Sequence, residues 1–404
     1  MNTVQNDNLV IEYAENQSVA FDESTLESDA TNASQIDIIQ DYLNDKFEFR
    51  YNFVTNRVLF RSLNSESSNL VDMRDFDFNT ILKDIKRAHI KCAKDTLRMI
   101  LESNFVNGFE PYISFVDSLS EWDGTDYILQ LAQSVETTDN EYWNFCLKKW
   151  IVAMLGGWYD DKIVNHTVIV FSGEQGVGKT RWFRSIIPES LLEYFSSGYI
   201  QPKDREVNVK ISECCLILMD ELENMSAANI ADIKALITQE TTFMRRAYTT
   251  RSQAYKHRAS FAGTVNDKQF LHDTTGNRRF LCFEAMSINE AHGIPLDQLY
   301  AQAKNLLNSG FQFWFDKVEI AELNLKNNEY RFVTSEEDML SIHFEKCTEL
   351  NATDFLSTTE IVQYIRERVP GESLTILKMG KVLAAKKFLR LKKRGRYVYA
   401  LKQK

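Results

Sequence analysis

The chain has 404 residues, 44% of them hydrophobic and 26% charged, and a formal net charge of −10. That balance is ordinary for a globular protein of two or three domains with buried cores. No apolar run of membrane-spanning length and no secretory pattern occurs, so the expectation is a cytoplasmic chain without membrane contact. The six cysteines form no CxxC pair and the six histidines are scattered, which argues against a disulfide framework or a zinc centre.

In chain order, residues 1–35 are rich in Asn, Ser, Asp and Glu with few large apolar groups, and are expected to be a disordered acidic tail. Residues 1–45 hold ten acids and no Lys or Arg, leaving 47 acids against 47 bases in the rest. Residues 36–150 read as a mainly helical accessory domain with a strand pair in FEFRYNFVTNRVLFR, turning near Thr55 and Asn56. Residues 151–345 alternate short apolar strands (TVIVFS, CLILMDE, ASFAGTVN) with amphipathic helices, the pattern of an α/β sheet covered on both faces. Residues 354–404 read as two helices and a two-stranded ribbon around a Lys-Arg-Gly turn, a winged-helix pattern. Nothing after Glu372 is acidic, while eleven residues there are basic.

The chemistry concentrates in FSGEQGVGKT, residues 171–180. Gly173, Gly176 and Gly178 let consecutive backbone N–H groups face phosphate oxygens, Lys179 would reach the β and γ phosphates, and the Thr180 hydroxyl would be a ligand for Mg²⁺. The motif lies between a predicted strand and a predicted helix, the context in which such a loop binds ATP. LILMDE follows, with Asp220 beside the metal, as a further ligand, and Glu221 polarising the attacking water. Asn266 ends the next strand and could sense the γ phosphate. Arg278 and Arg279, in DTTGNRRF, have no acid beside them after Asp273 and could act as an arginine finger across a subunit interface, which implies a homo-oligomer.

Two segments point to nucleic acid. From Thr241 to Asn266 there is no acid, yet Arg245, Arg246, Arg251, Lys256 and Arg258 occur with Tyr248 and Tyr255 between them. Such a run suits a phosphate backbone with bases stacked on rings. In the C-terminal module, Lys386, Lys387, Lys392, Lys393 and Arg394 would grip duplex phosphates from the recognition helix and the wing.

GEQGVGKT, Lys203-Asp204, LILMDELE, GTVN and DTTGNRRF, in that order and with the WDG at Trp122–Gly124, resemble the virulence-associated protein E family of phage and mobile-element replication proteins. The resemblance covers roughly residues 100–335. It implies a P-loop NTPase core of the AAA type, like that of superfamily III helicases, working as a ring that hydrolyses ATP with Mg²⁺. It also implies single-stranded DNA in a pore, with Tyr248 to Tyr255 as the pore hairpin. Residues 1–150 show no paired-carboxylate primase motif, so priming is not expected. The function expected is that of a DNA helicase or translocase in replication. The alternative is an ATP-switched DNA-binding initiator or loader without processive unwinding.

Overall fold

The computed structural model describes residues 34–66, 69–246, 251–271 and 276–404. The expected acidic tail, apart from its last two residues, and Tyr248 lie outside the described residues. The chain divides into two compact units between Phe109 and Glu110.

In the first unit, α1 (Gln35–Lys46) starts where Ser34 and Asp37 cap each other, the Asp37 amide donating to Ser34 Oγ and the Ser34 amide to Asp37 Oδ2. β1 (Phe47–Asn52) and β2 (Arg57–Ser62) form an antiparallel hairpin, with β3 (Val71–Asp72) beside β2 and β4 (Asn107–Phe109) parallel to β1. Asn52 Oδ1 accepts the amides of Val54 and Thr55, and Asn56 takes φ 55°, which closes the hairpin turn. α2 (Asp75–Arg87) and α3 (Lys94–Leu101) bury Ile81, Ile85, Leu97 and Ile100 in a common core with Phe49. A four-stranded sheet thus stands where only a strand pair was expected; its two extra strands are two and three residues long, too short to show alternation.

The second unit opens with α4 (Pro111–Ser118), α5 (Tyr127–Gln133), β5 (Val135–Thr137) and α6 (Asn140–Tyr159). Helix α6 is buried along most of its length. Its three indoles, Trp143, Trp150 and Trp158, donate to the carbonyls of Ala132, Thr167 and Cys215. Residues 110–150, grouped above with the N-terminal segment, are therefore part of this core, because aromatic side chains on α6 can be buried only by the sheet they cover.

Six strands form that sheet: β5, β6 (Val168–Ser172), β7 (Phe195–Gly198), β8 (Leu216–Met219), β11 (Ser260–Val265) and β12 (Phe280–Ile288), in the order β5-β12-β6-β11-β8-β7. All pairs are parallel except β5 with β12. β6, β8 and β11 are buried at every position, as strands covered on both faces must be. Between them run α7 (Lys179–Ser185), α8 (Arg205–Glu213), α9 (Ala227–Ile237) and an antiparallel pair, β9 (Thr241–Met244) and β10 (Gln253–Lys256). A Cβ on Gly263 would lie 2.3 Å from Leu222 Cδ1, so glycine is what lets the segment after β8 lie against β11.

After α10 (Leu296–Asn308) and α11 (Lys317–Lys326), the chain builds a last cluster from α12 (Ser335–His343), β13 (Phe344–Lys346), β14 (Asp354–Leu356), α13 (Thr358–Arg368), α14 (Ile376–Ala385), β15 (Arg390–Lys393) and β16 (Arg396–Gln403). Leu340 and Phe344 pack with Ile361, Ile365, Leu383 and Leu401, so this module begins at α12, earlier than residue 354. The whole is a mixed α/β protein. Among the described residues no helix is long and apolar enough to cross a membrane.

Candidate functional site

The loop 173–178 leaves the C-terminal end of β6 and enters α7. A Cβ on Gly173, at φ 145°, would sit 2.8 Å from the Ala285 carbonyl oxygen, so only glycine lets the loop pass this close to β12. Gly178 precedes α7 at φ 95°. Lys179 is buried, its Nζ donating to the carbonyls of Gly173 (2.5 Å) and Glu174 (2.9 Å). Burial lowers its pKa and Glu223 opposes that shift.

Residues far apart in sequence converge on this loop. Thr180 Oγ1 donates to Asp220 Oδ1 (3.1 Å), and Thr264 Oγ1, from β11, donates to the same oxygen (3.0 Å). Glu221 takes the left-handed conformation, φ 56°, and accepts from Asn224 Nδ2 (3.0 Å). Such a conformation in a residue other than glycine costs energy and turns the side chain away from the strand's alternation. Asn266 donates both its backbone amide and its Nδ2 to Glu223 Oε1, each at 2.9 Å. Gly176, Gly178, Lys179, Thr180, Asp220, Glu221, Thr264 and Asn266 all line one cavity of about 340 Å³.

Glu223 and Thr264 were missed as site residues. Glu223 holds the side chain that ends β11. The signal available was its distance of two residues from Glu221, and that does not reveal a partner on another strand.

Arg278 and Arg279 lie elsewhere. They form a single turn before β12, whose first residue pairs in register with Val168 at the start of β6. The loop at 173 leaves the other end of β6, four residues on, a strand distance of roughly 13 Å. The two arginines line a second cavity, of about 420 Å³, with His166, Glu240, Phe313 and Trp314. Among the described residues neither has an ion-pair partner, and Arg279 Nε is buried without a hydrogen bond. Burial and the neighbouring Arg278 lower the Arg279 pKa. The turn itself is pinned: Lys234 Nζ donates to Asn277 Oδ1 (3.0 Å), and Asn327 Nδ2 to the carbonyls of Asn277 (2.8 Å) and Phe280 (2.9 Å).

The basic run at 245–258 requires a correction. Arg246 is buried, 3.3 Å from Glu213, donates to Ser212 Oγ and lies over the Tyr255 ring. Arg258 pairs with Glu110 at 2.7 Å, and Lys256 with Asp161 at 3.1 Å. Arg246 is buried and Lys256, Arg258 and Tyr255 are half-buried; the three cations are compensated by acids from distant segments and, among the described residues, form no open cationic track. Arg245 and Arg251 are exposed at the ends of β9 and β10, flanking 247–250, which lie outside the described residues. In the C-terminal module Lys386 pairs with Glu337 (2.9 Å) and Lys393 with Glu349 (3.1 Å), whereas Lys387, Lys392 and Arg394 are exposed without an ion-pair partner among the described residues.

The site is thus a cavity at the C-terminal ends of parallel strands, lined by a glycine-rich loop and by a carboxylate and an amide from adjacent strands. The chain belongs to the virulence-associated protein E-like domain family, whose model matches residues 116–332. No curated protein matches it. Similar solved structures include the apo structure of the NrS-1 C-terminal region (305–718), at 13% identity and TM-score 0.48, covering 92% of this chain and 99% of that one. The A form apo structure of the same region has 13% identity and TM-score 0.49, covering 91% and 99%.

Proposed function

We propose that this chain is a Mg²⁺-dependent ATPase with a P-loop NTPase core of the AAA type, acting on DNA in the replication of a phage or mobile element. The observation that carries the reading is the convergence of Lys179, Thr180, Asp220, Glu221 and Asn266 on one cavity. Three glycines at positive φ around it suit a loop that wraps phosphate. The Thr180 hydroxyl and Asp220 carboxylate are hard oxygen donors, and they already share a hydrogen bond, so they fit Mg²⁺ held jointly with phosphate oxygens. Bound there, Mg²⁺ would neutralise charge on the phosphates.

In this reading Lys179 exchanges its two carbonyl partners for β and γ oxygens. Glu221 takes the proton of the water that attacks the γ phosphorus as the bond to the bridging oxygen breaks, releasing ADP and phosphate. Asn266 orients that water or the γ phosphate once Glu223 yields it. Arg278 and Arg279 sit at the opposite end of the sheet from the loop, which favours action on the nucleotide of a second copy, and therefore a ring.

The order α13, α14, β15, β16 supports a winged helix that meets duplex DNA with Lys387, Lys392 and Arg394. The β9–β10 pair, with Phe243, Arg245 and Arg251 exposed, supports a hairpin for single-stranded DNA. The internal pairing of Arg246, Lys256 and Arg258 favours a second reading, an ATP-switched initiator or loader with a shorter DNA track.

The test is the ATPase rate of the full chain with and without single-stranded DNA, at two protein concentrations, beside Glu221→Gln. Stimulation by DNA and a steep concentration dependence, both lost in the variant, are expected of a ring motor. A hydrolysis rate indifferent to both sinks the motor and leaves the switch.

A further inference from the structure

The cavity at 173–180 has two ends. Asp220, Glu221 and Asn266 crowd one of them, which on the reading above is the γ end. The segment that follows β12 packs on the other side of the loop, against Gly178 and Arg181 of the cavity wall. A Cβ on Gly178 would lie 3.1 Å from Glu290 Oε2 and 3.8 Å from Ile288 Cγ2, so this segment lies directly against the loop. Glu290 Oε1 is 2.6 Å from Nη1 of Arg181, the residue after Thr180 and itself part of the cavity wall.

The segment is held firmly in this position. The Asn289 amide donates to the Ser134 carbonyl (2.7 Å). His292 Nδ1 accepts the Ile294 amide, so its Nε2 carries the proton and donates to Ser185 Oγ, 3.0 Å away on α7. In this setting Glu290 Oε2 is buried and has no hydrogen-bond donor among the described residues. A buried carboxylate oxygen without a donor is costly, and a ligand hydroxyl would relieve it.

We propose that Glu290 recognises the sugar of the bound nucleotide, its carboxylate accepting hydrogen bonds from the vicinal hydroxyls of a ribose while Arg181 balances its charge beside the α phosphate. The proposal rests on the phosphate-site reading. The triphosphate runs from the Asp220 side past Lys179 and Thr180, so the α phosphate and its sugar emerge on the Arg181 side, where Glu290 stands. In dinucleotide-binding α/β folds a carboxylate accepts a hydrogen bond from the ribose 2′-hydroxyl, the same chemistry proposed here. It discriminates strongly because the deoxy sugar leaves the buried acceptor unpaired. The site therefore selects ribonucleotides over deoxyribonucleotides.

The experiment is calorimetric titration of the full chain with ADP and with 2′-deoxy-ADP, in the presence of Mg²⁺, for wild type, Glu290→Ala and Asn266→Ala. Wild type should bind ADP about tenfold or more tightly than 2′-deoxy-ADP, the worth of one hydrogen bond to a charged group. The preference should vanish in Glu290→Ala and persist in Asn266→Ala, whose change lies at the γ end. Equal affinities in wild type overturn the proposal and leave the phosphate site intact, whether or not the variants fold. A preference that survives in folded Glu290→Ala also overturns it. Failure of wild type to bind either nucleotide removes the phosphate-site reading itself, and this inference with it.

Discussion

The two ends of the central sheet are built on opposite electrostatic terms. At the C-terminal ends of β6, β8 and β11, nearly every polar group already has a partner: Thr180 and Thr264 on Asp220, Asn224 on Glu221, Asn266 on Glu223, Lys179 on two carbonyls. At the N-terminal end of β12, Arg278 and Arg279 stand side by side with no acid paired to either among the described residues. One end is a cavity whose polar groups are paired within the chain; the other holds two cations without an ion-pair partner among the described residues, although Glu240 lines the same cavity. Adjacent uncompensated guanidiniums repel each other, and a fold keeps them where a negative group arrives from outside. On the proposed reading, a cavity that releases its internal hydrogen bonds to a nucleotide and an arginine pair that receives a negative charge would be complementary halves of a site shared between copies.

Three substitutions would break or sharpen this contrast. The largest effect is expected at the self-satisfied end. Lys179→Ala should lower ATP turnover by at least about 10³-fold, since it removes the charge facing the transferred phosphoryl group, and should abolish ADP binding in the same titration. Next comes Arg279→Ala. With no ion-pair partner among the described residues to disturb, it should lower turnover by about 10³-fold while leaving ADP affinity unchanged. Mixing it with Lys179→Ala protein should restore part of the activity, each variant supplying the end the other lacks. Absence of any recovery on mixing would mean that the two ends do not meet across copies.

The smallest effect is expected from Glu223→Gln, which weakens the hold on Asn266 without removing a reacting group. It should lower kcat by about tenfold with KM little changed, as misplacement of a positioning group does. A fall in affinity instead of rate would make Glu223 a binding residue.

That the residues around Lys179 share one cavity was legible in large part because its parts are local. Glycine spacing around 173–178, the lysine and threonine that follow, and the acidic pair after LILM each sit within a few residues of a strand end, where backbone geometry dictates what a side chain can reach. The basic run at 245–258 was misleading for the converse reason. Its lack of nearby acids is a fact about neighbours in sequence, while Glu110, Asp161 and Glu213 reach Arg258, Lys256 and Arg246 from other elements. Likewise the extent of the second core was hidden in α6, whose tryptophans fit any buried helix until the sheet beneath them is known.

By itself, then, the sequence determined the short-range features: the order of apolar strands, the glycine-rich loop, the caps of α1 and α13, and the turn at Arg394–Gly395. Tertiary structure alone decided which charges are compensated, that Glu223 rather than Glu221 holds Asn266, and that Arg278 and Arg279 stand at the far end of the sheet from Lys179. The physical reason is range: backbone conformation depends on residues a few positions apart, whereas charge pairing and burial depend on distances in space that only the packed sheet brings within a few ångströms.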